Sequence, residues 1–245
     1  MNFEKPNHAF ILAAGKGERL RPYTQTTPKP MIPIQGRPIL DYIFEKLKKS
    51  GIENVTINTN YLGDRIKNYT DHYEGLNITL SPEDKHLETG GGVKYALHTM
   101  EEKPFYLING DAFWTEGKGL NALDRLAQAW NPKTMDILLL LQSVEAMHLT
   151  EGVGDYNLNV NGQAVRSLNK TGAYMFGGIR ITKPDIFDGS PEGAFSFLDL
   201  MDKAQEKGRL YGIIHEGEWH HISTPKDLEA VNAAMATAAT QVKSA

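Results

Sequence analysis

The 245-residue chain contains no cysteine. This absence excludes a disulfide framework and any chemistry that depends on a thiolate. An excess of positive charge is also lacking, because 26 basic and 30 acidic side chains give a formal net charge of −4. That balance argues against a nucleic-acid partner and against binding to an anionic membrane surface, although it permits a local basic pocket.

Long apolar runs are missing as well. No segment approaches the roughly 18 apolar residues of a membrane-spanning helix, and the opening stretch MNFEKPNHAF has no apolar signal core. We therefore expect a cytoplasmic protein. Hydrophobic residues make up 40% of the chain and charged residues 23%, which is typical of a globular protein with a sizeable buried core.

Short apolar runs alternate with amphipathic segments in the first part of the chain. Strands are predicted at residues 9–14, 54–59, 77–83, 104–110 and 136–142, and helices at residues 38–51, 63–73, 91–100 and 120–130. In the first of these helices the spacing of Ile39, Phe44 and Leu47 indicates one buried stripe. The alternation predicts an α/β, Rossmann-like fold with a mainly parallel sheet and helices on both faces.

The pattern changes after about residue 150. Asn161-Gly162 lies between two alternating runs and predicts a β-hairpin. A strand, an amphipathic helix that Gly208 ends, two short strands and a last helix with Thr224 as its N-cap follow. We expect a single domain, 1–245, with the parallel sheet in about 1–142 and a small α+β lobe with the C-terminal helix in about 143–236.

The loop after the first strand is rich in glycine and positive charge. Ligands of parallel sheets bind beyond the carboxyl ends of the strands, and Gly15 and Gly17 would let the chain turn and expose N–H groups there. Arg19, Arg21 and Lys29 could donate charge-assisted hydrogen bonds to phosphate oxygens. The loop is thus a candidate anion site, with a solvated surface turn as the alternative.

Neither common phosphate-binding motif is complete in this loop. A dinucleotide fingerprint needs a third glycine, where the chain has Leu20. A P-loop needs Gly-Lys-Ser/Thr, whereas Gly15-Lys16 is followed by Gly17. The glycines alone therefore do not identify the ligand.

The whole stretch LAAGKGERLRPYTQTTPKPMIPIQGRPIL, residues 12–40, is more specific, because it resembles the signature of the sugar-1-phosphate nucleotidyltransferases. Similar segments follow in the family's order at residues 88–97, 107–113, 152–158 and 218–228, so the resemblance covers nearly the whole chain. It implies the nucleotide-diphospho-sugar transferase fold. It also implies that a nucleoside triphosphate and a sugar 1-phosphate are joined to a nucleotide sugar, with release of pyrophosphate.

The resemblance also bears on the substrates. The glycine triplet after Glu88-Thr89 and the compact length most resemble members that use uridine triphosphate and N-acetylmuramic acid 1-phosphate in cell-wall sugar recycling. Guanosine triphosphate with mannose 1-phosphate is the alternative, and a phosphocholine cytidylyltransferase is a third. A catalytically weak regulatory subunit that binds a sugar nucleotide is an alternative of another class. We expect a monomer or a small homo-oligomer.

Three catalytic residues follow from the resemblance. Arg19 would bind the triphosphate, and Lys29, held between Pro28 and Pro30, would neutralise phosphates of both substrates. Asp111 would bind Mg²⁺, which takes oxygen ligands and usually one or two carboxylates. The alternatives are a solvated loop lysine and an aspartate that caps the following turn.

The resemblance assigns the remaining contacts to four short segments. The nucleotide-binding residues are Leu12, Ala13, Ala14, Gly15, Gly17, Arg19, Glu88, Thr89 and Gly90, and the sugar-phosphate-binding residues are Gly154, Asp155, Asn169 and Lys170. Gly90 and Gly91 would let the backbone approach the base, while Glu88 or Thr89 could bond its edge. Thr89 is also a candidate N-cap of the following helix.

The chain departs from the family pattern at WHHIST, residues 219–224. The family's second metal-binding aspartate is replaced by His221, and imidazole is a poor Mg²⁺ ligand. His221 could bind a softer cation such as Mn²⁺, hydrogen-bond a metal-bound water or a phosphate, or mark an impaired site. A zinc site of His215, His220 and His221 is a further alternative, although strand alternation makes the last two diverge.

Overall fold

A computed structural model describes residues 4–243, with side chains as far as residue 237. The strands are β1 (His8–Leu12), β2 (Pro33–Ile34), β3 (Arg37–Pro38), β4 (Asn54–Thr59), β5 (Asn77–Pro82), β6 (Phe105–Asn109), β7 (Phe113–Trp114), β8 (Ile137–Ser143), β9 (Tyr156–Leu158), β10 (Ala164–Arg166), β11 (Tyr174–Thr182), β12 (Leu210–Ile214) and β13 (Trp219–His220). The helices are α1 (Ile39–Lys49), α2 (Gly63–Thr70), α3 (Glu88–Ala96), α4 (Ala122–Ala129), α5 (Phe197–Glu206) and α6 (Pro225–Lys243). Among these described helices, none has both the length and the apolarity that crossing a bilayer requires.

Nine of the described strands form one sheet, in which β5, β4, β1 and β6 lie side by side and parallel. Strand β11 is antiparallel to β6 and to β8, and β12 runs parallel to β8. The β9–β10 hairpin joins β11 through the pair Tyr174 and Tyr156. The sheet and the hairpin both confirm the fold that the sequence predicts.

Helices cover both faces of the sheet because the strands alternate their side chains. Ile11 of β1 packs in one buried cluster with the apolar stripe of α1, whereas Phe10 packs in a second cluster with α3 and α5. Each cluster also contains residues from beyond position 142, such as Trp219 and Leu210. The division of the chain near residue 142 stays a prediction.

Helix α3 begins earlier than the sequence pattern predicts. It starts at Glu88, whose φ of +59° is left-handed, rather than at Gly91. The backbone carbonyl of Phe195 accepts hydrogen bonds from the N–H groups of Gly90 and Gly91, at 2.8 and 3.1 Å. A partner more than a hundred residues away in sequence thus stabilises the first turn, which local propensity cannot anticipate.

Candidate active site

The loop that follows β1 is folded around Gly17. The Thr24 hydroxyl and the Leu20 N–H both donate to the Gly17 carbonyl, at 2.8 and 3.0 Å. Gly17 has a φ of +62°, and a Cβ there would lie 3.0 Å from the Thr24 methyl group, so only glycine suits this position. At Gly15, by contrast, a Cβ would meet no protein atom within 4 Å. The backbone at Gly15 therefore faces open space on the ligand side.

A buried hydrogen-bond chain fixes the turn at the end of β1. The Ala13 N–H donates to Asn58 Oδ1 at 2.8 Å, and Asn58 Nδ2 donates to Glu83 Oε1 at 2.7 Å. The other oxygen of Glu83 accepts from the Leu87 N–H at 2.9 Å. These hydrogen bonds link the two loops that are predicted to bind the nucleotide. The sequence interpretation missed Asn58 and Glu83, although an amide near the end of a predicted parallel strand is a usable signal.

One cleft at the carboxyl edge of the sheet brings together most of the predicted nucleotide-binding residues. Its walls include Leu12, Ala13, Ala14, Gly15, Gly17, Lys29, Glu88, Thr89 and Asp111. A neighbouring opening shares Gly17 and Lys29 and adds Arg19 and Ser223. His86 lines both openings and was not predicted. Two loops far apart in sequence thus form one surface with several N–H groups and cations.

The predictions for Thr89 and Gly90 need correction in part. Thr89 is not the N-cap of α3, because the helix already begins at Glu88, and its hydroxyl instead accepts from the Phe197 N–H at 2.9 Å. A Cβ on Gly90 would lie 2.4 Å from the Phe195 ring. The close approach that this glycine permits is therefore to the protein's own chain, and a contact between Gly90 and the base stays a prediction.

Lys29 and Asp111 form a direct ion pair at the centre of the site. Lys29 opens a short helical turn, Lys29–Met31, between Pro28 and Ile32, and its side chain is only 14% exposed. The interpretation of Lys29 as a solvated loop lysine is therefore wrong. Asp111 follows β6 and keeps 35% of its side chain exposed. Burial would raise the pKa of Asp111, but the charge and hydrogen bond of Lys29 outweigh it, so this pKa is lowered and the carboxylate is ionised.

His221 faces the same cluster. Burial is the main cause that lowers the pKa of His221; the charge of Asp111 opposes the shift, while Lys29 and Arg19 add to it. The imidazole is therefore neutral at pH 7, which disfavours a role as a cation that binds phosphate. The His221 ring lies 5.6 Å from the Trp219 ring, whereas His220 lies against Phe113. The predicted divergence of the two histidines is confirmed.

The zinc alternative is wrong for the part of the chain that the structure describes. No three histidine, aspartate or glutamate side chains there form a group that could hold a metal ion. His215 Nε2 lies 2.9 Å from the Thr115 carbonyl, and His220 Nε2 lies 3.7 Å from Glu218. Asp111, with a neutral His221 near it, is a donor set that suits Mg²⁺ only if phosphates and waters supply the other ligands.

A second pocket adjoins the nucleotide cleft and shares Thr89 and Asn109 with it. Two predicted sugar-phosphate residues, Asp155 and Lys170, line this pocket and form a 2.7 Å ion pair. Asp155 also accepts from the Phe176 N–H at 3.2 Å. The predicted residues Asp155 and Lys170 thus lie in a pocket that borders the predicted nucleotide cleft.

The other two predicted sugar-phosphate residues shape the loop behind this pocket. A Cβ on Gly154 would lie 2.0 Å from the Gly172 carbonyl oxygen. Asn169 Oδ1 accepts from the hydroxyls of Ser167 and Thr171, at 2.8 and 2.9 Å. Direct contact of Gly154 and Asn169 with the substrate stays a prediction.

Arg180 was missed by the sequence interpretation. It lies on β11 in the wall of the second pocket, and only 2% of its surface is exposed. The signal was available, because arginine is rarely buried and here stands in the apolar run GGIRI. The sequence could not predict the direction of the Arg180 side chain, because the strand register shifts between Phe176 and Arg180.

Comparison with known proteins agrees with this geometry. Residues 8–148 match the nucleotidyl transferase family. The chain is 33% identical to an N-acetylmuramate alpha-1-phosphate uridylyltransferase of Caulobacter vibrioides, over 96% of this chain and 99% of that protein. It is 31% identical to a D-glycero-alpha-D-manno-heptose 1-phosphate guanylyltransferase of Aneurinibacillus thermoaerophilus, over 89% and 94% of the two chains.

Solved structures show the same fold. HddC from Yersinia pseudotuberculosis complexed with GMP-PN superposes with a TM-score of 0.75 over 94% of this chain and 99% of that one, at 23% identity. An apo UDP-glucose pyrophosphorylase superposes with a TM-score of 0.78 over 95% and 99%, at 17% identity. The family match and the curated relatives define an enzyme that transfers nucleotidyl groups. This chain belongs to the nucleotidyl transferase family, and within it to the sugar-1-phosphate nucleotidyltransferases.

Proposed function

We propose that this enzyme joins uridine triphosphate to N-acetylmuramic acid 1-phosphate. One observation carries the proposal: the 33% identity to the Caulobacter uridylyltransferase extends over 96% of the chain. The aligned region therefore includes the second pocket, whereas the match to the family model ends at residue 148. Asp155, Lys170 and Arg180, which line that pocket, all lie beyond this limit.

The reaction needs positioning and charge neutralisation more than covalent chemistry. A phosphate oxygen of the sugar 1-phosphate attacks the α-phosphorus of the triphosphate, the bond between that phosphorus and the bridging oxygen breaks, and pyrophosphate leaves. Lys29 lines both the nucleotide cleft and the neighbouring opening and would contact the phosphates of both substrates, while Arg19 faces that opening. Fixed cations of this kind stabilise charge that develops in the transition state.

A divalent cation, when bound, would neutralise phosphate oxygens and polarise the reacting phosphorus. Asp111 would hold Mg²⁺ or Mn²⁺, and His221, which feels the charge of Asp111, would bind a metal-linked water or the metal itself. In the described structure Asp111 is bonded to Lys29. The lysine therefore holds the carboxylate in its ionised form and in a fixed position before the substrates arrive.

Guanylyl transfer is the second candidate. It is favoured by the heptose 1-phosphate guanylyltransferase at 31% identity and by the similarity to HddC in complex with GMP-PN. The turn at residues 12–15 would read the base largely through backbone groups other than the Ala13 N–H, which donates to Asn58. Because backbone groups are the same in every residue, the side chains of this turn do not indicate whether uracil or guanine is bound.

Pyrophosphate release should therefore be measured for each of the four nucleoside triphosphates with N-acetylmuramic acid, N-acetylglucosamine, mannose and heptose 1-phosphates. We expect the highest kcat/KM for uridine triphosphate with N-acetylmuramic acid 1-phosphate. A preference for guanosine triphosphate would establish the second candidate instead. A preference for cytidine or deoxythymidine triphosphate would contradict both.

A further inference from the structure

The guanidinium of Arg180 is buried without a carboxylate partner among the described residues. Its Nη1 lies 3.5 Å from Asn109 Oδ1, at the outer limit of a hydrogen bond, and its Nε has no partner there. The guanidinium carbon lies 4.2 Å from the centre of the Phe197 ring and 5.2 Å from that of Phe176. Aromatic faces stabilise a cation but leave its five donors unsatisfied.

Leaving a charge in this state is costly. A buried ion normally has a counter-ion and a full set of hydrogen bonds. Burial lowers the pKa of Arg180 to about 9, with a small opposing effect of Tyr156, so the side chain is still charged at neutral pH. Arg180 lines an open pocket, where a ligand can supply what the protein does not.

Among the described residues that line the pocket, Arg180 is the charged side chain without an ion-pair partner. Among the described residues that line it, Lys170 is paired with Asp155. Arg166 also lines it and is paired with Asp202 behind it. After these pairs have cancelled, one positive charge remains. The pocket therefore favours an anionic group.

A second donor lies in the same wall. The Tyr156 hydroxyl is buried and has no hydrogen-bond partner among the described residues. Burial raises the pKa of Tyr156, so the hydroxyl keeps its proton and can donate it in a hydrogen bond. The cavity is about 210 Å³, several times the roughly 30 Å³ of one water molecule. It can therefore hold a substituent of the substrate.

The sugar's 1-phosphate is not the group that this arrangement suits. The reacting phosphate must approach the triphosphate beside Lys29 and Asp111, and neither of these residues lines the pocket of Arg180. Asn109 forms the common wall between the two spaces. An anion at Arg180 would therefore be carried by another part of the acceptor.

We propose that Arg180 and the Tyr156 hydroxyl form a subsite for a carboxylate on the sugar ring of the acceptor, so that the enzyme selects acidic sugar 1-phosphates. The inference rests on the proposed function, since it concerns the second substrate of that reaction. The lactyl carboxylate of N-acetylmuramic acid is such a group. N-acetylglucosamine 1-phosphate lacks only the lactyl ether, so it is the matched probe whose sugar ring is neutral.

The test compares Arg180→Met, Arg180→Lys and the wild type with both sugar 1-phosphates and uridine triphosphate. Arg180→Met should lower kcat/KM for the acidic sugar by about 10- to 100-fold, as expected when a hydrogen bond to a charged group is lost. The value for the neutral sugar and the KM for uridine triphosphate should hardly change. Arg180→Lys should lie between the two. Arg65→Met, an exposed position on α2, is the control.

Equal loss with both sugars would overturn the subsite, because it would mean that Arg180 binds the phosphate or supports the fold. A wild-type enzyme that does not distinguish the two sugars would overturn it too, while leaving nucleotidyl transfer intact. Calorimetric binding of the two sugar 1-phosphates, with a non-hydrolysable triphosphate analogue present, gives a readout without turnover. If no pair of substrates reacts, the proposed function fails, and the binding data still decide on the subsite.

Thermal stability separates a ligand role from a structural one. Replacing an unpaired buried charge by an apolar side chain of similar volume is often neutral or stabilising. Arg180→Met should therefore keep or raise the melting temperature of the free enzyme. A clear decrease, together with equal losses for both sugars, would identify Arg180 as a packing residue and would reject the proposal.

Discussion

At the scale of single residues, the proposed catalytic role of Lys29 has the most direct test. Its ammonium is held by Asp111 and by a rigid turn, and it borders both openings of the site. Lys29→Ala should lower kcat by about 10²–10³, the usual loss when a preorganised donor to the transition state is removed. Steady-state pyrophosphate release measures this directly.

The control for this change is Lys67→Ala. Lys67 belongs to an exposed ion pair with Asp71 on α2, away from the site, and such pairs contribute little to stability. Its loss should leave kcat and the melting temperature nearly unchanged. If Lys29→Ala turned over within a few-fold of the wild type, the phosphate role of Lys29 would be wrong.

Asp111 and His221 can be tested together through the metal. Asp111→Asn should nearly abolish activity, because it removes the charged protein ligand proposed for the cation. His221→Asp would add a second carboxylate, and it should keep or raise activity with Mg²⁺ while reducing any advantage of Mn²⁺. Activity titrated with each metal is the measurement. A wild-type enzyme that is fully active in a chelator would reject the metal role of both residues.

At the scale of elements, α3 depends on contacts that only glycine permits. A Cβ on Gly91 would lie 2.1 Å from the carbonyl oxygen of Gly193, whereas a Cβ on Gly15 would meet nothing. Gly91→Ala should therefore lower the free energy of unfolding by about 1–3 kcal/mol, through overpacking. The gain in helix propensity, at most about 1 kcal/mol, offsets only part of this loss.

Gly15→Ala is the matched change in the other loop that is predicted to bind the nucleotide. It should leave stability unchanged and weaken nucleotide binding, because its methyl group would enter the space on the ligand side. Denaturant unfolding and nucleotide titration of both variants separate the two effects. Equal stability of Gly91→Ala and Gly15→Ala would show that α3 can move away from residue 193 without loss.

The elements themselves were largely predictable from the sequence. Strand β4 and the stripe of α1 follow directly from apolar periodicity, and Asn161-Gly162 predicts the β9–β10 hairpin. The start of α3 was not predictable, because Phe195 and Phe197 stabilise it from the other half of the chain. Periodicity describes a segment, and it contains no information about such distant partners.

The same limit applies to the site. Arg19 and Lys29 could be predicted as phosphate contacts because they stand in one dense local motif, and Asp111 as a metal ligand because it follows a predicted strand. The ion pair of Lys29 with Asp111 agrees with their proposed place in one site. In the supporting chain, Asn58 could have been noticed at the end of a predicted strand, but its hydrogen bond with Glu83 could not be predicted, since the two residues meet only when the sheet has formed.

At the scale of the whole molecule, buried histidines make stability depend on pH. Burial is the main cause that lowers the pKa values of His8, His215 and His220. In the unfolded chain these groups titrate near about 6.5, so the unfolded state binds more protons as the pH falls below that value. The free energy of unfolding should therefore decrease from pH 7 to pH 5, as urea unfolding at several pH values would show.

The carboxylates do not obscure the effect of the histidines on the free energy of unfolding between pH 7 and pH 5. The pKa values of Asp136 and Asp227 are lowered too, but unfolded aspartates protonate only near about pH 4. His220→Gln should reduce the slope between pH 7 and pH 5, whereas His72→Gln, at an exposed position, should not. Stability that stays constant over this interval would contradict the assignment of neutral histidines.

The contact between α3 and the segment before α5 limits how sugar preference can be redesigned. Thr89 and Phe195 hold these two elements together at the point where the nucleotide cleft meets the second pocket. A graft of α5 from a relative with another sugar would displace Thr89, which belongs to the wall predicted to contact the base. Exchange of specificity in the laboratory therefore requires α3 and residues 193–197 to be transplanted as one cassette.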